Sequence, residues 1–151
     1  MIQLRHTGLY VKDLYRQTEF YKYVFHMHPI CEMVEQQDDL VGDLLRQNNA
    51  ALRITKLITD QGKMTGIGDM LELIQVPVEF IEDSGTISLQ DIYAQGRMHL
   101  GFGIDNINET IDKIIERGGT QFTAIHIMKN GNKCCFCIDP EQNWLELIER
   151  H

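Results

Sequence analysis

The sequence predicts an α+β fold built from two tandem βαβββ modules. Three observations predict it. The tetrapeptide LELI occurs twice, in DMLELIQVP (Asp69 to Pro77) and in QNWLELIER (Gln142 to Arg150). A His-x-Gly opens an alternating strand pattern at His6 and again at His99, an offset of 93 residues. Each of those strands turns at an Asp or Asn into a helical pattern, and each copy closes on LELI. Self-similarity of this order marks a duplicated supersecondary unit.

The elements follow in order. HTGLYVKDLYRQTEFYKYVF, from His6, gives a strand over about 3–12 and a helix near 13–26, with Leu14, Phe20, Tyr21 and Val24 as its apolar face. Strands follow over about 29–35, 49–59 and 70–76. HLGFGIDNINETIDKIIERG, from His99, gives a strand over about 97–105 and a helix near 107–118, with Ile107, Ile111, Ile114 and Ile115 on its apolar face. Gly118 and Gly119 stop that helix. Its remaining strands fall at about 121–128, 132–139 and 143–149. Glu72 follows His6 by 66 residues and Glu146 follows His99 by only 47. QQDDLVGDLLRQNN and TDQGKMTGIGD absorb the difference, and their polar, glycine-bearing composition reads as an excursion and a loop. The 151 residues therefore form a single domain of module 1–76, linker 77–96 and module 97–151.

Composition excludes several partners. A net charge of −8 with no lysine/arginine cluster repels a phosphate backbone, so nucleic acid is not an expected partner. Anionic membrane surfaces are disfavoured likewise, and no apolar run is long enough to span a bilayer. The start, MIQLRHTGLYVKD, lacks a signal-peptide layout, so a cytoplasmic protein is expected. Of the four cysteines, Cys135 and Cys137 share one strand face and Cys134 takes the other. With no second ligand pair at zinc-site spacing, they and Cys31 read as small apolar residues of a reduced protein.

Side-chain alternation then gathers the chemistry. Thr7, Leu9 and Val11 share one face of the first strand, with Leu100, Phe102 and Ile104 as counterparts, and pack under the helices. His6, Gly8 and Tyr10 face the other way, as do His99, Gly101 and Gly103. Leu71 and Leu73, and Leu145 and Leu147, turn Glu72 and Glu146 to that same open side. A carboxylate inside an apolar strand is costly unless it is paired or bound to a metal. Two imidazoles and two carboxylates make an N/O donor set for one divalent ion among Zn²⁺, Ni²⁺, Co²⁺, Mn²⁺ and Fe²⁺. Such an ion holds a carbonyl or enediolate oxygen as a Lewis acid, and a displaced glutamate can take a proton from carbon. His26, His28, His126 and His151 are assigned no chemistry.

The pattern resembles the vicinal oxygen chelate superfamily, which includes glyoxalase I, methylmalonyl-CoA epimerase, extradiol dioxygenases and fosfomycin- or bleomycin-resistance proteins. The resemblance spans essentially the whole chain. It is carried by HTGLYVKDL with FYKYVF, by LELIQ, by HLGFGIDNI with a helix ending RGG, and by FCIDPEQNWLELIE. That last segment is similar to the family's closing DP-D-G-N-x-x-E-L signature, with Glu141 and Gln142 replacing Asp-Gly. The resemblance implies a curved, mixed-sheet half-barrel around a divalent metal.

A carboxylate at each liganding glutamate position is most like glyoxalase I, a lyase or isomerase that moves a proton through a metal-bound enediolate. On that resemblance His6, Glu72, His99 and Glu146 are the metal ligands, Glu146 is the first choice of catalytic base and Glu72 its mirror partner. The substrate is a small carbonyl or thiol adduct. Where glutathione-using members carry an arginine and an asparagine, this chain has Tyr10 and Val76, so metal-centred proton transfer is better supported than glutathione as substrate. Tyr10, Lys129 and Lys133 are the candidate substrate-binding residues. Two alternatives stay open, an epimerase similar to methylmalonyl-CoA epimerase and a non-catalytic ligand-binding or resistance protein. Bare sheet edges and the 20-residue connection from Pro77 to Gly96, together with the resemblance, imply a homodimer.

Overall fold

The computed structural model describes residues 2–80 and 96–151. It divides into two compact units, Met1–Asp83 and Ser84–His151. The first runs β1 (His6–Tyr10), α1 (Leu14–Phe25), β2 (His28–Gln36), α2 (Asp39–Leu45), β3 (Leu52–Ile58), α3 (Asp60–Thr65) and β4 (Met70–Gln75), then a 3₁₀ turn at Val78–Phe80. The second runs β5 (His99–Ile104), α4 (Ile107–Glu116), β6 (Thr120–Gln121), β7 (His126–Ile127), β8 (Lys133–Ile138) and β9 (Trp144–Glu149). The rest of the connection, 81–95, lies outside the described residues.

Both units use one sheet plan. The orders are β1-β4-β3-β2 and β5-β9-β8-β6, with β7 also paired to β8. In each, the opening strand lies parallel to the closing one, and the other pairings are antiparallel. The architecture is thus two mixed sheets with βαβββ order, as the sequence repeat predicts.

The helices form where capping and apolar spacing agree. Asp13 caps α1 by accepting from the backbone N–H of Arg16 at 2.9 Å, and Asn106 caps α4 by accepting from Glu109 at 3.1 Å. These caps stand 93 residues apart, at the offset of the repeat. Leu14, Phe20, Tyr21 and Val24 of α1 are buried with Leu57, Leu71 and Leu73 of its sheet. In the second unit, Ile107, Ile111 and Ile114 are buried with Cys135, Cys137, Leu145 and Leu147. Each leucine, isoleucine, valine or phenylalanine among them contributes about 1.5–3 kcal/mol on leaving water. Ile115 departs from expectation at 53% exposed, because the apolar stripe is narrower than the run of isoleucines. Gly118 takes a left-handed φ of 86°, and a Cβ on Gly119 would lie 2.5 Å from the carbonyl oxygen of Ile138. The glycine pair therefore both ends α4 and lets it approach the sheet.

Three further expectations need correction. The polar excursion holds α2, capped by Asp38 (Val41 N–H to Oδ1, 2.9 Å) and anchored by buried Val41. Val41 packs with Ala50, Leu52, Ile54, Ile74 and Val76, so α2 rests on the sheet face opposite α1. The glycine-bearing loop likewise holds α3, capped by Thr59. The strand expected over 121–128 is two short pieces, β6 and β7, because Phe122 and Thr123 both donate to the carbonyl of Phe136 and bend the chain between them.

Candidate metal centre

Register decides what the two histidines meet. In the first unit Gly8 lies opposite Glu72, which places His6 two residues before that row. Gly101 lies opposite Glu146, and His99 is likewise two residues before. His6 Nε2 comes within 3.3 Å of Glu72 Oε2, and His99 Nε2 within 3.2 Å of Glu146 Oε2. The repeat therefore builds one His–Glu pair twice, through the same atoms. Neighbouring leucines on β4 and β9 are buried, whereas Glu72 and Glu146 stay 14% and 26% exposed on the opposite face.

The other oxygen of each carboxylate is held differently. Glu72 Oε1 takes an ion pair from Lys56 Nζ at 3.0 Å, Lys56 being its direct neighbour on β3. Glu146 Oε1 accepts from the Cys134 thiol at 3.4 Å. Burial first, then the Glu146 carboxylate, pushes that thiol up from its ordinary value, so at neutral pH it is protonated and donates. Phe136 is the direct neighbour of Glu146 on β8, and its ring meets the His99 ring edge-on at 5.4 Å. Each carboxylate thus has a polar neighbour at both oxygens, which offsets its desolvation. Sequence reading assigned no role to Lys56, Cys134 or Phe136. Alternation put Cys134 on the face away from Cys135 and Cys137, and that was the one available signal.

The remaining candidates are dispersed. Tyr10 shares the face of His6 by alternation and is 57% exposed. Lys129 is exposed in the turn between β7 and β8. Lys133 lies on the helix side of β8, its ammonium 2.6 Å from Glu149 Oε1. Glu149 Oε2 in turn accepts from the N–H of Ile107 at the start of α4. Lys133, expected to hold a substrate anion, is thus turned away from Glu146. Cys135 and Cys137 are buried, and burial, with the neighbouring Cys135, pushes the Cys137 thiol up to about 12.

The pairs fit metal donors. Two ligands at about 2.1 Å from one ion lie about 3.0–3.4 Å apart between octahedral and tetrahedral angles, and both pairs fall in that range. Imidazole nitrogen and carboxylate oxygen suit borderline divalent ions. Among the described residues no group of three or more His, Cys, Asp or Glu side chains is gathered at metal-binding distance, so each unit by itself offers two donors.

A family model described as glyoxalase/bleomycin resistance protein/dioxygenase superfamily matches residues 3–147. The chain belongs to that superfamily. Among solved structures, this superfamily member resembles a glyoxalase family protein from Bacillus cereus at a TM-score of 0.83 and 15% identity, covering 99% of this chain and 94% of that one. It resembles glyoxalase I from Zea mays at 0.64 and 19%, covering 98% of this chain and 44% of that one. A fosfomycin resistance protein from Listeria monocytogenes, solved with Mn(II) and a dihydroxypropylphosphonic acid, matches at 0.61 and 18%, covering 100% and 93%. These likenesses show the shared fold. Comparison with curated proteins yields no match. No helix among the described residues is long and apolar enough to cross a membrane.

Proposed function

We propose that the protein is a divalent-metal-dependent lyase or isomerase of glyoxalase I type, acting on a small carbonyl or thiol adduct. One observation carries this reading: two His–Glu pairs in equivalent register, Nε2 to Oε2 at 3.3 and 3.2 Å. His6, Glu72, His99 and Glu146 are the proposed ligands of one ion. When bound, the ion supplies Lewis-acid polarisation of a substrate oxygen. Glu146 takes the proton from the adjacent carbon and returns it, with Glu72 as its mirror partner. The thiol of Cys134 holds one Glu146 oxygen while the other faces His99, and Phe136 limits how the His99 ring can turn. Tyr10, exposed on the face of His6, remains a proposed substrate contact, and Lys129 a weaker one.

Two donors per module make assembly part of the proposal. Modules 1–76 and 97–151, joined by 77–96, complete the centre within a homodimer, where His6 and Glu72 of one chain meet the second pair of the other. The four free cysteines suit a reducing cytoplasmic compartment.

Elemental analysis after reconstitution tests the ligand set. Wild type is expected to hold about one divalent ion per chain, and His6→Ala with His99→Ala to lose it. Equal metal in that double variant removes the assignment. Turnover of methylglyoxal with a panel of thiols, on protein loaded with each ion, then separates the lyase from a ligand-binding or resistance protein of the same fold.

A further inference from the structure

The sheet registers align the two modules row by row and expose a difference between them. In the first unit one row reads Gly8, Glu72, Lys56 across β1, β4 and β3. In the second the same row reads Gly101, Glu146, Phe136 across β5, β9 and β8. Glycine and glutamate repeat, whereas the third position changes from an ammonium to a phenyl ring. We propose that Lys56 is a specificity-determining residue, which equips the first module's half of the centre to take a small ligand bearing a carboxylate beside a second oxygen, such as an α-oxygenated acid. The proposal rests on the metal-centre reading above.

Lys56 is not needed merely to neutralise a glutamate on this face. Glu146 occupies the equivalent position with a thiol and a histidine, and among the described residues it has no lysine or arginine partner. An ammonium beside a divalent ion also repels it, a cost that a neutral side chain such as the equivalent Phe136 avoids. What the ammonium adds is donors. A lysine has three N–H groups, and the pair with Glu72 Oε1 at 3.0 Å uses one. That pair fixes Nζ at the edge of the His6–Glu72 donors, and Lys56 remains 37% exposed. Gly8, on the other side of Glu72, adds no side chain of its own to the row, and the nearest neighbour there is the Ile74 methyl, 3.4 Å from where a Cβ would lie. A carboxylate chelating an ion held by His6 and Glu72 thus meets a cation placed for a charge-assisted hydrogen bond. Lys133, the other lysine expected to hold an anion, is committed to Glu149 on the helix side.

The test is calorimetric titration of oxalate into Zn²⁺- or Ni²⁺-reconstituted wild type, Lys56→Gln and Lys56→Arg, with imidazole as a neutral probe. Lys56→Gln is expected to weaken oxalate about tenfold or more, the size of a lost hydrogen bond to a charged group. Lys56→Arg should stay within about threefold of wild type, since it keeps the charge. Imidazole should bind all three alike, and Lys56→Gln should hold the ion at least as tightly as wild type. Unchanged oxalate affinity in Lys56→Gln overturns the proposal, as does a loss shared equally by imidazole. If wild type takes up no ion, the metal-centre reading has failed. Oxalate titrated into the metal-free protein then decides Lys56 alone: a wild-type signal lost in Lys56→Gln keeps the anion subsite, and no wild-type binding ends it. Circular dichroism of each variant separates a lost contact from a lost fold.

Discussion

At the residue scale, what distinguishes Glu146 from Glu72 is the partner at its second oxygen. An ammonium at 3.0 Å pins Glu72, while a neutral thiol at 3.4 Å holds Glu146. The ammonium adds a full Coulomb attraction to its hydrogen bond, whereas a thiol is a weak, neutral donor. Glu146 is therefore the carboxylate freer to move toward substrate carbon. Glu146→Gln keeps an oxygen donor and removes the proton acceptor. Solvent-proton exchange at substrate carbon is expected to fall by on the order of 10² or more, with most of the metal retained. Glu72→Gln should cost exchange less. Equal losses mean a shared role, and no loss at either position counts against proton-transfer catalysis. The His–Glu pairs were legible in the sequence because strand alternation alone puts them on one face. Lys56 and Phe136 were not, since finding them requires the register of β3 on β4 and of β8 on β9. That register depends on how α3 and the turn at Glu141 and Gln142 use up chain, which periodicity does not report.

At the element scale, strands β4 and β9 do more than present a glutamate. Three residues beyond Glu72 and Glu146, Gln75 donates to the carbonyl of Lys12, and Glu149 accepts from the N–H of Ile107. Both tie the end of the closing strand to the start of the helix. Hydrogen bonding from Lys133 first, then from Ile107, holds the Glu149 carboxyl below its ordinary value. Its contribution to stability is accordingly complete above the unfolded-state pKa of about 4.3 and is lost as pH falls through the lower folded value. Glu149→Gln should lower the thermal midpoint at pH 7, with the gap to wild type closing below about pH 4. A gap constant from pH 7 to pH 3 contradicts this account. The long helices α1 and α4 were readable because each carries a cap and a three-to-four-residue apolar repeat. Helices α2 and α3 were not, being seven and six residues long with a single buried side chain or glycine as anchor. Their helical state comes from Asp38 and Thr59 caps and from packing, which composition masks as loop.

At the scale of the whole molecule, the histidines sit on strands that end their sheets among the described residues. In both sheet orders the His-bearing strand, β1 or β5, is the terminal strand. An edge strand is open to further pairing, and proteins seldom leave one bare. Among the described residues each unit gathers one His–Glu pair, so the proposed four-ligand centre draws on two such pairs. The proposed homodimer does this between chains, and a mixture of crippled chains distinguishes it from a centre made within one chain. His6→Ala and Glu146→Ala are each expected to abolish high-affinity metal binding alone. In a shared arrangement, a mixed dimer puts both lesions into one centre and leaves the other with all four wild-type ligands. Mixing equal amounts, after unfolding and refolding together, should then restore about a quarter of wild-type binding, because half the dimers are mixed and each has one intact centre of two. In an intrachain arrangement every centre keeps one lesion, and metal content stays at the level of the separate variants. Absence of rescue, with a refolded wild-type control that binds normally, rules out the shared centre, and light scattering that finds a monomer at micromolar concentration does so earlier.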